Sequence, residues 1–134
     1  MRNRLPSSIW YGGPVFAYAL LIYFLSSLSI HPESVPDFFG LDKLAHFTEY
    51  FIFGLLLSRW FSSIEVSSVR SRAMIMTMVA GIFYAMTDEW HQSFVPCRNP
   101  SIFDFVFDSI GVFSASILFP FLPPKERKLW TGNR

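Results

Sequence analysis

Seven ionisable side chains interrupt three long apolar segments of this chain. They are five carboxylates and two histidines: Glu49, Asp88, Glu89, Asp104, Asp108, His46 and His91. An ionisable group in a hydrocarbon environment is costly, so it is retained where it faces a protein interior and has a task there. Carboxylates and imidazoles are also the groups that bind cations and transfer protons. These seven residues are therefore the first candidates for a functional site.

The composition indicates a membrane protein. The 134 residues suit one domain, 1–134, in which 51% of residues are hydrophobic and 16% are charged. An ordinary soluble domain has about 25% charged residues. A lipid-facing surface accommodates the 16 phenylalanines without difficulty. The single cysteine excludes an internal disulfide, and a net charge of +1 gives no indication of a nucleic-acid partner.

Four segments are long enough to cross a bilayer, which takes about 20 mostly apolar residues as a helix. They run over about 9–30, 43–61, 73–95 and 102–122. The chain is thus predicted to be an all-α bundle of four transmembrane helices. A cleaved signal peptide is the alternative for the first segment, although its apolar stretch exceeds the usual 7–15 residues.

The basic residues predict the orientation of these spans. Nine of the eleven Lys and Arg residues fall at the two ends of the chain or around the connection between the second and third spans. The opposite side keeps only Lys43 and Arg98. Cytoplasmic segments carry the excess of basic residues, so both termini are predicted to be cytoplasmic.

The spacing of the polar residues places them at two shared depths. At 1.5 Å per residue, Glu49, Glu89 and Asp108 lie roughly 10–12 Å below the outer rim, and His46, Gln92 and Asp104 roughly 6 Å below it. The fourth span also carries a polar-to-small stripe that should face the other helices. The stripe consists of Ser101, Asp104, Asp108, Gly111 and Ala115. The simplest geometry is an outward-opening polar cleft between spans two, three and four.

Two further expectations concern the chemistry of this cleft. Burial and mutual repulsion of the carboxylates favour bound protons, a divalent metal ion or a cationic ligand. At the start of the fourth span, Ser101 and Asp104 have the spacing of a capping box. Asp104 could therefore have a purely structural role.

The same residues resemble the VanZ-like family of small multi-pass bacterial membrane proteins, which is named for a member linked to teicoplanin resistance. The resemblance spans about 42–111. It rests on Asp42-Lys43, His46, Tyr50, Asp88-Glu89, Gln92, Phe94-Val95-Pro96, Arg98, Asp104 and Gly111. Two residues depart from the family pattern: Cys97 stands where Gly is common, and Asp108 stands where Asn is usual. The resemblance implies a protein of the bacterial cytoplasmic membrane with a role in the cell envelope.

Three functions are compatible with this pattern, and a binding protein is favoured over an enzyme. The first is binding of an outer-leaflet ligand, either a lipid-linked wall precursor or an amphiphilic glycopeptide antibiotic. Lys43 and Arg98 would hold an anionic group at the rim. The predicted ligand-binding residues are Lys43, His46, Glu49, Asp88, Glu89, Gln92, Arg98, Asp104 and Asp108.

The second function is an intramembrane hydrolase or transferase that acts on a lipid, with Glu49, Glu89 and His46 as catalytic candidates. A divalent metal ion would then bind among His46, Glu49, Glu89 and His91, although their spacing matches no established zinc motif. The third is a proton- or cation-linked transport or regulatory subunit. Four short spans would favour a homo-oligomer for that role.

Overall fold

Four long helices and one short helix make up the part of the chain that the computed structural model describes, residues 7–29 and 39–122. They are α1 (Ser7–Ser26), α2 (Phe39–Ser63), α3 (Ser67–Arg70), α4 (Ala73–Gln92) and α5 (Ile102–Leu118). A 3-10 turn, Phe119–Phe121, follows α5. These ranges contain no strand, which confirms the all-α prediction. The two chain ends, whose predicted cytoplasmic side rests on Arg2, Arg4, Lys125, Arg127, Lys128 and Arg134, lie outside the described residues.

The helices match the predicted segments except at their ends. The helix of the first segment ends at Ser26 rather than near Ile30, and that of the third ends at Gln92 rather than Val95. Turns follow Gln92 because the prolines at 96 and 100 cannot continue a helix. The connection between the second and third predicted segments contains the single turn of α3.

Helices α2 and α5 pack closely together at Gly111. A Cβ atom added at Gly111 would lie 2.5 Å from the Phe47 carbonyl oxygen and 2.9 Å from the Phe51 backbone nitrogen. Only a residue without a side chain allows two backbones to come this near. Ala115 occupies the same face, where it meets Gly54 of α2. The predicted small-residue stripe therefore does face the bundle.

Helix α1 lies against α2 and α4 and is held along its length. The guanidinium of Arg59 on α2 lies 4.3 Å from the centre of the Tyr11 ring. Further along, the Tyr84 hydroxyl of α4 donates a hydrogen bond to the Ala19 carbonyl at 2.6 Å. These contacts join α1 to α2 and to α4.

The interior of the bundle combines an apolar core with buried polar side chains, and much of its outside is apolar. The buried face of α4 carries small and polar residues: Ala73, Thr77, Gly81, Ala85, Asp88 and Gln92. Its opposite face exposes a stripe of large apolar residues: Ile75, Val79, Phe83, Met86 and Trp90. Within the described ranges, the helices Ile9–Ser26 and Ile102–Phe121 are long and apolar enough to cross a membrane. Exposed apolar surface of this extent is typical of a face that contacts a membrane or another protein.

Candidate functional site

The amino end of α2 forms a buried ion cluster with α5. The ammonium group of Lys43 bonds to the Asp42 carboxylate at 2.9 Å and to the Asp104 carboxylate. The side chains of Lys43 and Asp104 are only 8% and 10% exposed, whereas Asp42 lies near the surface. Partners on both sides of the ammonium offset the cost of removing its charge from solvent. Lys43 is thus engaged with carboxylates rather than open to an anionic ligand at the rim.

His46 lies one helical turn deeper and has carboxylates on both sides of its ring. Its Nδ1 atom is 3.0 Å from Asp108 Oδ1. Its Nε2 atom is 3.9 Å from Asp42 Oδ1 and 4.0 Å from Asp104 Oδ2. The Asp108 side chain is fully buried, and its second oxygen, Oδ2, has no hydrogen-bond partner among the described residues. An imidazole placed between carboxylates in this way can exchange a proton with them or act as one ligand of a bound cation.

Glu89 joins α4 to the start of α5. One of its carboxylate oxygens accepts a hydrogen bond from the backbone N–H of Ser101 at 3.0 Å, while the Ser101 hydroxyl accepts one from the N–H of Phe103 at 3.2 Å. Ser101 is therefore the N-cap, as the sequence predicts. The acid that completes the cap comes from another helix, because Asp104 bonds to Lys43 instead. The other Glu89 oxygen, Oε1, is buried without a hydrogen-bond partner in the described part of the chain.

Asp88 points into the bundle on a different side from its neighbour. Its carboxylate accepts a hydrogen bond at 3.0 Å from Gln92, one turn further along α4, and both side chains are buried. The Tyr50 ring on α2 is also fully buried, and its hydroxyl has no hydrogen-bond partner among residues 7–29 and 39–122. Adjacent residues on a helix point in different directions, so Asp88 and Glu89 contact different neighbours.

Three predicted site residues lie beside α1 instead of in a cleft between α2, α4 and α5. Arg98 donates hydrogen bonds to the carbonyls of Leu28 at 3.1 Å and Leu25 at 3.0 Å. His91 Nε2 is 2.9 Å from the hydroxyl of Ser27. Glu49 is half-buried in a groove between α1 and α2. The predicted cleft did not include the first span, since that segment carries no charged residue.

Two open grooves flank α1, and each has a carboxylate in its wall. The groove toward α4 has a volume of about 460 Å³ and includes Asp88 and His91. Its other lining residues are Tyr23, Tyr84, Thr87, Trp90 and Phe94. The groove toward α2 has a volume of about 560 Å³ and includes Glu49 and Tyr18. The remaining surface of both grooves is largely apolar.

Several residues of this region were not predicted as site residues. Tyr18 and Tyr23 of α1 line the grooves, and Ser27, just after α1, contacts His91, whose ring centre is 4.4 Å from that of Tyr23. Asp42 is a partner of Lys43. A signal for these residues existed in their hydroxyl groups, which recur toward the carboxyl end of an otherwise apolar segment.

Two groups of side chains have the composition and proximity of a metal site. One is Asp42, His46 and Asp104, and the other is His46, Glu89 and Asp108. In each group the possible ligand atoms lie within 4.8 Å of one another. Glu49 and His91, which were predicted as metal candidates together with His46 and Glu89, belong to neither group among the described residues.

The chain matches the model of a known protein family. A family model described as VanZ/LLP1 matches residues 7–123. No curated protein and no solved structure matches the chain. The family match includes all four long helices and every residue of the two candidate metal groups. The chain therefore belongs to the VanZ/LLP1 family.

Proposed function

We propose that this chain is a multi-pass protein of the bacterial cytoplasmic membrane that binds an amphiphilic ligand from the outer leaflet. In this proposal α1, α2, α4 and α5 each cross the bilayer, and both termini are cytoplasmic. The ligand occupies the grooves beside α1. The single observation that carries the proposal is the α1–α4 groove, which combines apolar walls with the carboxylate of Asp88.

The dimensions and surfaces of α2 and α4 support four spans. These helices have 25 and 20 residues. A helix of about 20 residues crosses the hydrocarbon core. The outward apolar stripe of α4 suits contact with lipid, and its charged side chains face inward, as expected for polar groups in a membrane bundle. The basic residues Arg59, Arg70 and Arg72 at the opposite end from Asp42 favour a cytoplasmic position for that end.

The grooves have the size and lining of small-molecule sites. Ligand pockets typically measure about 300–1,000 Å³ and combine apolar walls with a few polar groups. Both grooves fall in this range, at about 460 and 560 Å³. An acyl or alkyl chain would pack against residues such as Trp90 and Phe94, which also face the outside of the bundle.

The charges favour a ligand that carries a positive charge or a hydrogen-bond donor. The polar groups offered by the grooves include the carboxylates of Asp88 and Glu49. The two basic side chains at this end, Lys43 and Arg98, are bonded to carboxylates and to carbonyls of α1. An amine-bearing amphiphile, the class to which an amphiphilic glycopeptide could belong, therefore fits better than an anionic lipid-linked precursor.

A thermal-shift experiment on protein purified in detergent tests this proposal. The probes are a long-chain alkylamine, teicoplanin and phosphatidylglycerol. We expect the alkylamine to raise the Tm, and we expect Asp88→Asn, which keeps the hydrogen bond to Gln92, to lose most of that shift. Glu65→Gln, at the opposite end of the bundle, is the matched control and should keep it. Absence of a shift with all three probes would overturn the proposal, and a shift with phosphatidylglycerol alone would overturn the preference for a cation.

A second candidate is a hydrolase or transferase that acts on a lipid, and the His46–Asp108 pair favours it. A buried imidazole 3.0 Å from a carboxylate has the geometry of a general base with its orienting group. Incubation with membrane lipids followed by mass spectrometry tests this candidate. Product formation that is lost in His46→Gln would support it, and unchanged lipid with the wild-type protein would exclude that reaction for the lipids used.

A further inference from the structure

The group formed by His46, Glu89 and Asp108 lies in the bundle interior and belongs to neither groove. We propose that these three side chains bind one divalent transition-metal ion, such as Zn²⁺ or Mn²⁺. The inference goes beyond the proposed function because it uses different residues and does not require an amphiphilic ligand. One ligand comes from each of α2, α4 and α5, so the ion would join three helices.

Two carboxylate oxygens of this group are buried and unsatisfied. Asp108 Oδ2 and Glu89 Oε1 have no hydrogen-bond partner among the described residues, and the Asp108 side chain is fully buried. Nearly all buried polar atoms in proteins have a partner, so an exception requires an explanation. The second oxygen of each carboxylate is already engaged, by His46 and by the Ser101 N–H. A cation between the two remaining oxygens would satisfy both.

The neighbouring group, Asp42–His46–Asp104, is a poorer candidate because it already contains a cation. The Lys43 ammonium bonds to both of its carboxylates. In the His46–Glu89–Asp108 group, Asp108 forms an ion pair with His46 alone and Glu89 forms none, among the described residues. A divalent ion would compensate these two carboxylates, which have no Lys or Arg ion-pair partner among the described residues.

The donor set indicates the kind of ion. One imidazole nitrogen with two carboxylate oxygens suits Zn²⁺, Mn²⁺ or Fe²⁺, whereas Mg²⁺ and Ca²⁺ prefer oxygen ligands alone. The ligand atoms lie within 4.8 Å of one another. With metal–ligand bonds of about 2.0–2.1 Å, tetrahedral ligands stand roughly 3.3 Å apart. The separations in this group, at most 4.8 Å, are of the size that coordination of one ion requires.

The experiment measures metal content and metal-dependent stability of the purified full-length protein. After removal of metals with a chelator, the protein is incubated with Mn²⁺, Zn²⁺ or Mg²⁺, and unbound ions are removed. We expect roughly one Mn²⁺ or Zn²⁺ per chain and a raised Tm, because the ion binds the folded state. Mg²⁺ should neither remain bound nor raise the Tm.

Two isosteric variants and a control identify the ligands. Asp108→Asn and Glu89→Gln should each weaken binding of the metal ion at least about tenfold. The Glu89→Gln side chain keeps an oxygen that accepts the hydrogen bond from the Ser101 N–H. Asp42→Asn, in the group that contains Lys43, should bind the ion as the wild type does. The Mn²⁺ electron paramagnetic resonance signal reports binding without any activity assay. Wild-type protein that retains no Mn²⁺ or Zn²⁺, or loss of binding in Asp42→Asn but not in the other two variants, would overturn the proposal.

Discussion

The carboxylate of Glu89 accepts a hydrogen bond from the backbone N–H of Ser101 at 3.0 Å, so a side chain of α4 completes the N-cap of α5. The two residues lie on either side of the connection 93–100, so their hydrogen bond links the end of α4 to the start of α5. This cap places Asp104 and Asp108 opposite Lys43 and His46.

Replacement of Glu89 should show this role. Glu89→Ala leaves the Ser101 N–H without its acceptor, and we expect it to destabilise the protein by about 1–2 kcal/mol. Glu89→Gln keeps an oxygen that accepts this hydrogen bond, so the protein should lose much less stability. Denaturation in detergent with a chelator present measures both variants without any contribution from bound metal. Equal stability of the two variants would contradict the capping role.

The Lys43–Asp104 pair provides a second prediction. Lys43→Met leaves Asp104 buried without its partner, and loss of one member of a buried pair typically costs about 3–5 kcal/mol. The double variant Lys43→Met with Asp104→Leu should recover part of this loss, because no charge is then left unpaired. A double-mutant cycle of unfolding free energies measures the coupling. Additive effects of the two changes would show that the pair contributes no coupling energy.

Gly111 is predicted to be intolerant of any side chain. A Cβ at this position would meet the backbone of α2, so Gly111→Ala should destabilise the bundle by about 1–3 kcal/mol. Gly13 on α1 is the matched control, since a Cβ there would have no atom within 4 Å. Gly13→Ala should be neutral or stabilising by up to about 1 kcal/mol. If the two alanine variants had the same Tm, the close approach of α2 and α5 would be wrong.

Cys97 has a positive φ of 65°, a backbone conformation that glycine adopts without cost. Cys97→Gly should therefore stabilise the protein by about 1 kcal/mol. Cys97→Ala removes the thiol but keeps the Cβ, and it should not produce this gain. The difference in unfolding free energy between the two variants isolates the backbone effect. An alanine variant as stable as the glycine variant would assign the effect to the thiol instead.

Arg98 should hold the carboxyl end of α1 through the carbonyls of Leu25 and Leu28. Arg98→Ala leaves these carbonyls to other donors, so we expect faster amide hydrogen exchange in residues 24–29. Arg98→Lys should restore part of the protection, because a lysine can also bond to the last carbonyls of a helix. Exchange that is unchanged in Arg98→Ala would indicate that α1 is held by its other contacts alone.

The sequence was sufficient for the helices and for the face of α5, because these depend on hydrophobic length and on the spacing of small and polar residues. It also placed His46 and Asp104 at one depth, and they are neighbours in the fold. It did not assign each polar residue to its partner. Residues on a helix are separated by about 100°, so His46 and Glu49, three positions apart, differ by only about 60° in direction. That difference is enough to leave His46 against α5 and Glu49 beside α1.

The composition of α1 indicates only part of its role. Its contacts with the site are made by hydroxyl groups and by main-chain carbonyls, as at Ser27 and Leu25. Main-chain groups are the same in every residue, so the acceptors for Arg98 leave no trace in the sequence. The positive φ of Cys97 likewise results from the turn as a whole.

The close packing at Gly111 joins α2 to α5, and these two helices are separated along the chain by α3 and α4. During synthesis α2 therefore leaves the ribosome well before α5, the helix against which it packs. Throughout that interval Lys43 and His46 lack Asp104 and Asp108. Completion of α5 is thus the event that brings Asp104 to Lys43 and Asp108 to His46.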